Sequence, residues 1–315
     1  MANARIDILG LGVSTIDDLL MVKRFPRVNE KQEIVSSTRQ CGGLTGSALV
    51  AAARLGCRCG HVISLGEGEL SSFLRREMVR EGISLLERSD CPDAEPYHSI
   101  IITEEPTGER SILWDDAKSL PPHIGKKEMA MAAEAGCLFV DHIYAEQLLE
   151  IAAAARQAGT PVVGDFERST PGGQELMDLT DHLIIPLDYA KQLLGETVSA
   201  ESAVRMLARR PGRALVCITD GAHGAWYALG DHPEQVMHQP IFRMDCVVDS
   251  TGCGDVFHGA YAAGIVKGWP PAERIRRAAA ASALKTQKPG AQAGAPTLSQ
   301  LETFLLDAVE SSGAE

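Results

Sequence analysis

Residues 247–259 read VVDSTGCGDVFHG. The valines predict the end of an apolar strand, the glycines predict a tight turn, and the residues from about Gly254 onward predict a helix. Glycines let backbone N–H groups approach an anion closely, and the N-terminus of a helix carries a partial positive charge. The stretch therefore predicts an anion hole that suits a phosphoryl group.

Asp255 lies in the first turn of this predicted helix. A lone aspartate at such a position is most simply explained by its favourable interaction with the helix dipole. Phosphoryl transfer, however, requires a group that accepts the proton of the attacking hydroxyl. Because the aspartate stands beside a predicted phosphate site, we interpret Asp255 as this base.

Composition excludes several classes of function. The chain has 315 residues, 45% of them hydrophobic, which is enough for one large core. A formal net charge of -12 disfavours nucleic-acid binding. The chain has eight cysteines, and since none forms a C-x-x-C pair, they predict reduced, packed thiols. With no signal peptide and no long apolar run, we expect a cytoplasmic protein that acts on a small molecule and binds no membrane.

Strands and helices alternate through most of the chain, which predicts βαβ units and a doubly wound, mostly parallel sheet with helices on both faces. Two segments, 13–39 and 96–116, contain strands that break this rhythm. We predict that they form a separate small β-sheet, a lid. The remaining residues, 1–12, 40–95 and 117–315, are predicted to form one α/β domain that binds nucleotide and substrate.

The stretch 249–259 resembles the second signature of the ribokinase-like (PfkB) carbohydrate kinases, D-[ST]-x-G-[AC]-G-D-x-F-x-G, at every specified position. The resemblance implies a doubly wound α/β domain with a β lid, and ATP and Mg²⁺ as the cofactors of a kinase. It also implies that Asp255 is the general base and that the amides of Gly252, Cys253 and Gly254 form the anion hole.

A second stretch, GGLTGS before an alanine-rich helix, resembles the first signature of the same family. Taken alone, its glycines are equally well explained by helix packing. The resemblance implies that Gly42, Gly43 and Ser47 bind the sugar, although family members usually carry asparagine where Ser47 stands. It also implies that Asp17 binds sugar hydroxyls, since a carboxylate can accept two hydrogen bonds from a polyol. The neighbouring Asp18 is expected to face solvent.

The nucleotide side is predicted from the pattern T-x-G-x-x-G, formed by Thr219, Gly221 and Gly224 after a strand. Alone, this pattern fits any turn between a strand and a hairpin. The resemblance implies that these residues contact the phosphates and ribose of ATP. It places Lys285 and Gly290 in the stretch near the adenine.

The resemblance further implies a site for a monovalent cation, with K⁺ as the candidate ion. Its ligands would come from Asp249, Thr251 and the carbonyl of Gly290. Gly294 stands where family members often carry a hydroxyl-bearing residue.

The chain departs from the family pattern in the stretch PLDYAK, residues 186–191. Many members have an N-x-x-E motif here that orders magnesium-bound water, but Leu187 and Ala190 occupy its two key positions. The D-x-A-K variant resembles that of ketohexokinases. The departure puts protein-side ordering of Mg²⁺ in question.

The lid hairpin at residues 108–113 also resembles that of ketohexokinases, and residues 255–260 resemble sulfofructose kinases. Both resemblances imply a ketose or a modified ketose as substrate. Arg110 in the hairpin has two interpretations, a ligand for a phosphate or acidic substituent, and an exposed cation. Asp165, with its neighbours Glu167 and Arg168, is expected to form an ion-pair group at the surface.

Two other functions stay open. A nucleoside kinase of the same superfamily would use aromatic lid residues to stack on a base, and the candidates are Phe25, Tyr97 and Trp114. A non-catalytic sugar sensor is favoured by the loss of the N-x-x-E motif and opposed by the intact Asp255. Finally, partly apolar lid strands predict a homodimer that forms through the lids.

Overall fold

Short, continuously apolar runs form the central strands of this chain. Ile8–Leu11 and Cys137–Asp141 are buried along their whole lengths. Such runs suit a sheet that is covered by helices on both faces, because neither face then meets water. A computed structural model, which describes residues 5–88 and 90–312, has this architecture.

The secondary structure follows the predicted alternation. The strands are β1 (Ile8–Leu11), β2 (Thr15–Val22), β3 (Ile34–Gly42), β4 (Cys59–Ile63), β5 (Ser84–Glu87), β6 (Tyr97–Glu104), β7 (Arg110–Asp115), β8 (Cys137–Asp141), β9 (Val162–Asp165), β10 (His182–Pro186), β11 (Leu215–Thr219), β12 (Ala225–Leu229) and β13 (Met237–Gln239). The helices are α1 (Leu44–Arg54), α2 (Glu69–Arg80), α3 (Lys126–Glu134), α4 (Ala145–Gln157), α5 (Gly173–Asp178), α6 (Leu187–Leu194), α7 (Ala200–Ala208), α8 (Cys253–Val266), α9 (Pro271–Lys285) and α10 (Leu298–Ser312). Among the described residues, no helix combines the length and the apolar character that a membrane crossing requires.

The large sheet has nine strands in the order β13-β12-β11-β10-β9-β8-β1-β4-β5. Its pairs are parallel except at one edge, where β12 runs antiparallel to both β11 and β13. Two apolar clusters cover its faces, one with α1, α2, α8, α9 and α10 and the other with α3 to α7. The predicted doubly wound α/β fold is confirmed.

The small sheet has four strands in the order β3-β2-β6-β7. In its register Asp17 lies opposite Gln40 on β3 and opposite Ser99 on β6, so these three side chains share one face. The prediction of a separate small sheet is confirmed, and β3 continues beyond the predicted segment to Gly42. The exact domain boundaries stay a prediction.

The predicted strand at Val247 and Val248 is wrong. The backbone amides of Val248 and Asp249 both donate to the carbonyl of Thr286, over 2.8 and 3.1 Å, rather than to a neighbouring strand. The two valines are more than half exposed, at 62% and 55%. The predictions also missed β5, α3 and β13, which are short or weakly apolar.

Candidate active site

Helix α8 begins at a tight turn that requires glycine. Gly252 has a φ of 77°, and a Cβ atom there would lie 2.6 Å from the Cα atom of Ala291. A side chain at this position would therefore be strained both by the left-handed backbone and by the contact. The turn brings the start of α8 against the loop that contains Ala291.

Two of the amides near this turn are available to an anion. Gly254 and Asp255 lie in the first turn of α8, where a helix provides no acceptor for its N–H groups. The amide of Cys253 differs from the prediction, because it donates to the carbonyl of Ser250 over 3.2 Å. Of the three amides predicted for the anion hole, that of Cys253 is therefore engaged within the turn.

Asp255 is buried, with 9% of its surface exposed. Burial raises its pKa well above the ordinary value of an aspartate, and the charges of Glu167, Asp141 and Asp17 raise it further, while Lys285 lowers it. These interactions place the carboxylate of the small sheet, Asp17, in the electrostatic environment of Asp255. A carboxylate with a raised pKa is a stronger proton acceptor, as a general base requires.

Asp141, which the sequence reasoning missed, connects three elements around this site. Its carboxylate accepts hydrogen bonds from the amide of Val13 (2.7 Å), the hydroxyl of Thr45 (2.7 Å) and the amide of Ile143 (2.8 Å). Burial raises its pKa to about 6, against the opposing effect of these bonds. Its position at the carboxyl end of a central parallel strand was the available signal, since ligands bind at that edge of such sheets.

Asp165 is not at the surface, contrary to expectation. It is 1% exposed at the end of β9, and its Oδ2 atom lies 3.4 Å from Nδ1 of His258. The same ring contacts two carbonyl oxygens, that of Gly254 at 2.8 Å and that of Ile184 at 3.0 Å. The His258 ring thus connects the first turn of α8 to the central sheet.

The predicted sugar-binding residues lie together at the junction of β2, β3 and α1. Asp17 is 8% exposed, it accepts a hydrogen bond from the Thr15 hydroxyl over 2.9 Å, and burial raises its pKa. A Cβ atom at Gly42 would lie 2.2 Å from Oδ2 of Asp17, so a side chain would displace this carboxylate. Gly43 is the N-cap of α1, and Ser47 is fully buried with no hydrogen-bond partner for its hydroxyl among the described residues.

Asp18 does not face solvent freely, which corrects the expectation. It lies on the opposite face of the small sheet from Asp17, because side chains alternate along a strand. There it accepts hydrogen bonds from Nε and Nη2 of Arg39, over 2.7 and 2.9 Å, and lies 2.8 Å from Nε2 of His98. Asp18 therefore belongs to an ion-pair group of the small sheet rather than to the sugar site.

A cavity of about 740 Å³ extends from the start of α8. Its walls include the predicted nucleotide residues Thr219, Gly221 and Gly224, together with Cys253 and Gly254. This volume falls in the range of small-molecule sites and joins the T-x-G-x-x-G turn to the anion hole. Lys285 and Gly290, which were also predicted to contact the nucleotide, are not among its lining residues.

The small sheet reaches the anion turn at two points. Nη1 of Arg110 donates to the hydroxyl of Thr251 over 2.8 Å and lies 3.8 Å from Oδ1 of Asp249. Gln40, which the sequence reasoning missed, lies so close to Gly290 that a Cβ atom there would be 1.6 Å from its Oε1 atom. The lid is therefore in contact with the turn that would hold the phosphates.

Asp249, which was predicted to bind K⁺ with Thr251 and the carbonyl of Gly290, is bonded to donors within the protein. The carboxylate of Asp249 accepts from the amides of Thr251 (2.8 Å) and Gly290 (2.7 Å). Its main-chain carbonyl accepts from Nζ of Lys285 over 2.8 Å. Each of these Asp249 oxygens thus has one donor, and one of the donors is the buried ammonium of Lys285.

The residues around the lost N-x-x-E motif do not fit a dedicated magnesium site. Leu187 begins α6, and Ala190 is fully buried. Across residues 5–88 and 90–312, no group of three or more His, Cys, Asp or Glu side chains is placed to hold a metal ion.

Comparisons with known proteins agree with this geometry. The model of the pfkB family of carbohydrate kinases matches residues 8–298. A ribokinase of Arabidopsis thaliana is 26% identical over 290 residues, which are 89% of this chain and 76% of that protein. A ketohexokinase of Mus musculus is 24% identical over 283 residues, 85% and 92% of the two chains. The structure of Arabidopsis thaliana ribokinase complexed with ribose and ATP has a TM-score of 0.82 at 23% identity, over 96% of this chain and 99% of that chain.

Proposed function

The chain belongs to the pfkB family of carbohydrate kinases, which are ATP-dependent phosphotransferases acting on a sugar hydroxyl, and we propose that its acceptor is a ketose-like sugar or sugar derivative. One observation carries the assignment of the reacting groups. Asp255 is buried in the first turn of α8, beside Gly254 on the wall of the large cavity and within the electrostatic reach of Asp17. A base, an anion hole and a carboxylate for hydroxyl groups thus converge at one place.

The proposed step is an in-line transfer. Asp255 takes the proton of the attacking hydroxyl while its oxygen forms a bond to the γ-phosphorus of ATP. The bond from that phosphorus to the β,γ-bridging oxygen breaks, and ADP leaves with the electron pair. The amides of Gly254 and Asp255 stabilise the charge on the transferring group. Mg²⁺ neutralises phosphate charge when it is bound with ATP.

Asp17 holds the sugar in this proposal. Its buried carboxylate projects from the small sheet next to Gly42 and Gly43, and it can accept two hydroxyl hydrogen bonds. Ser47 adds a buried hydroxyl that has no partner within the described part of the chain. A polyol supplies hydroxyl groups for both.

A ketose-like acceptor is favoured by the lid hairpin. Residues 108–113 of this hairpin resemble those of ketohexokinases, and Arg110 at the start of β7 contacts the anion turn through Thr251. The identities to the ketohexokinase and to the ribokinase, 24% and 26%, are nearly equal. They therefore do not favour the substrate of one relative over that of the other. The choice of a ketose therefore rests on the hairpin, on residues 255–260 and on the D-x-A-K variant at residues 188–191.

The function is tested by measuring ADP release with ATP and Mg²⁺ across ketoses, aldoses, sulfosugars and nucleosides. The proposal predicts the highest kcat/KM for a ketose or a ketose derivative. Highest activity on a nucleoside would instead identify a nucleoside kinase. Sugar binding without any turnover would identify a sensor.

We also propose a homodimer that forms through the small sheets. Strand β7 is exposed along its length, and its Ile112, Leu113 and Trp114 side chains are 48%, 57% and 63% exposed. Contiguous exposed apolar side chains on an edge strand are usually covered by a partner. Size-exclusion chromatography at micromolar concentration is expected to show a dimer, and a monomer would contradict the proposal.

A further inference from the structure

Lys285 is a fully buried lysine at the end of α9. Lysine is rarely buried unless its charge is paired, because the ammonium loses its hydration. Its Nζ atom donates to the main-chain oxygen of Asp249 over 2.8 Å. Burial lowers its pKa, and the electrostatic effects of Asp249, Cys253 and Asp255 act in the opposite direction. The ammonium is therefore held against the turn that leads into α8.

This position places a fixed positive charge behind the anion hole. Lys285 is not a lining residue of the large cavity, so its ammonium contacts the turn from the protein side. The same turn is held by Asp249, which accepts from the amides of Thr251 and Gly290. Asp249 thus accepts hydrogen bonds from two backbone amides and from one ammonium group.

Oxygen atoms of the loop after α9 and of the turn itself are also bonded to cationic side chains. Nη1 of Arg54 donates to the carbonyls of Gln292 and Ala295, over 2.9 and 2.8 Å. Nη1 of Arg110 donates to the Thr251 hydroxyl over 2.8 Å. A small inorganic cation would have to compete with these donors for oxygens and would meet the charge of Lys285.

Gly294 packs closely against the backbone of Lys285. A Cβ atom at residue 294 would lie 2.2 Å from the carbonyl oxygen of Lys285 and 2.9 Å from its Cα atom. The loop can close on the end of α9 only because residue 294 has no side chain. The lysine and this glycine are therefore parts of one packing arrangement, which a residue with a side chain at 294 would disrupt.

This inference rests on the proposed phosphoryl transfer. We propose that the Lys285 ammonium replaces the monovalent cation in this chain: it orders the turn of residues 249–255 and offsets the negative charge that gathers at the transferring group. An ammonium and K⁺ carry the same charge, and the ammonium can donate hydrogen bonds to carbonyl oxygens that K⁺ would coordinate. The covalently attached cation makes the turn independent of the salt in the medium.

The proposal is tested with the wild-type chain in KCl, NH₄Cl and tetramethylammonium chloride at equal ionic strength, since tetramethylammonium is too large to enter the turn. Thermal unfolding and ADP release are measured in each salt. For the wild type, we expect the same unfolding midpoint in all three salts, and turnover that agrees within about twofold. A higher midpoint or several-fold activation in KCl would overturn the proposal. The unfolding midpoints test the role of Lys285 even if no acceptor sugar is found. A failure of this inference can therefore be told apart from a failure of the proposed function.

Lys285→Ala sharpens the test, with Lys288→Ala, at an exposed lysine three residues further on, as the matched control. Removing the charge should make stability and turnover depend on a small cation, because ligand binding to the folded state stabilises it. In tetramethylammonium chloride, turnover should fall roughly 100-fold, the size of effect seen when transition-state charge stabilisation is lost, and KCl or NH₄Cl should restore at least a tenth of it.

A folded Lys285→Ala that is indifferent to all three salts would overturn the proposal. If Lys285→Ala does not fold in any salt, Lys285→Met takes its place, because methionine keeps the unbranched stem and the volume. Cation-dependent stability in either variant supports the proposal. The control Lys288→Ala should behave as the wild type in every salt.

Discussion

The first turn of α8 and the small sheet differ in how their structure is specified. The turn is one contiguous stretch of sequence, its Asp255 is buried, and the carbonyl of the neighbouring Gly254 contacts the ring of His258 in the same helix. The small sheet is assembled from two separate segments, and its strand β7 is exposed throughout. The proposed reacting groups are therefore encoded locally, while the proposed acceptor site depends on residues that only the folded chain brings together.

The largest expected effect comes from the turn. Asp255→Asn keeps the shape of the side chain but removes the proton acceptor, so kcat should fall by about 10³-fold or more. ADP-release assays measure the loss, and calorimetry should show ATP affinity unchanged within about threefold. A kcat like that of the wild type would contradict the assignment of Asp255, since the base would then lie outside the first turn of α8.

Gly252→Ala should produce the next largest effect. The new methyl group must enter a space 2.6 Å from the backbone of Ala291, at a residue with a left-handed φ of 77°. The first turn would shift, and misplacement by about 1 Å can cost roughly 100-fold in rate. The measurement is kcat, with Gly268→Ala as a control at another left-handed glycine that has open space around it. Equal losses in the two variants would show that backbone strain alone, and not the anion hole, is responsible.

Asp17→Asn tests the small sheet. Loss of a charged acceptor of hydroxyl hydrogen bonds should raise the KM for the sugar by roughly 10-fold to 100-fold, since such a bond contributes about 1.5–3 kcal/mol. The KM for ATP should not change. If kcat fell and the sugar KM stayed constant, Asp17 would belong with the catalytic turn rather than with the lid.

The sequence predicted these two regions unequally. The glycine turn and Asp255 were identified because all their determinants lie within residues 249–259. Gln40 and Asp141 were missed, since each contacts residues far along the chain that the local sequence does not indicate. The strand predicted at Val247 failed for the same reason: its apolar side chain lines a cavity rather than joining a sheet, which local sequence does not reveal.

The decrease of kcat/KM at acidic pH is expected to be a smaller and more gradual effect than those of the substitutions above. Burial and the surrounding carboxylates raise the pKa of Asp255. The base must be ionised, so kcat/KM should fall as the pH drops through this raised pKa, at a higher pH than an exposed aspartate would require. Asp17→Asn removes one of these negative charges and should move this decrease to lower pH. If the pH of this decrease stayed the same or rose in Asp17→Asn, the result would contradict an electrostatic interaction between Asp17 and Asp255.

Asp18→Asn should have the smallest effect. Asp18 pairs with Arg39 on the far face of the small sheet, and both side chains are partly exposed, at 22% and 32%. The variant should lose about 1 kcal/mol of unfolding free energy or less, as partly exposed ion pairs contribute little. Urea unfolding measures this loss, while kcat and the sugar KM should stay within about twofold. A large change in the sugar KM would mean that both faces of the sheet take part in recognition.

The most direct test of the central claim is ³¹P NMR of the wild-type chain with ATP, Mg²⁺ and the acceptor that the screen selects. Transfer to a sugar hydroxyl predicts a new phosphomonoester resonance, coupled to protons of the sugar, that grows in step with ADP. Formation of ADP with inorganic phosphate alone, and no sugar ester, would contradict the account.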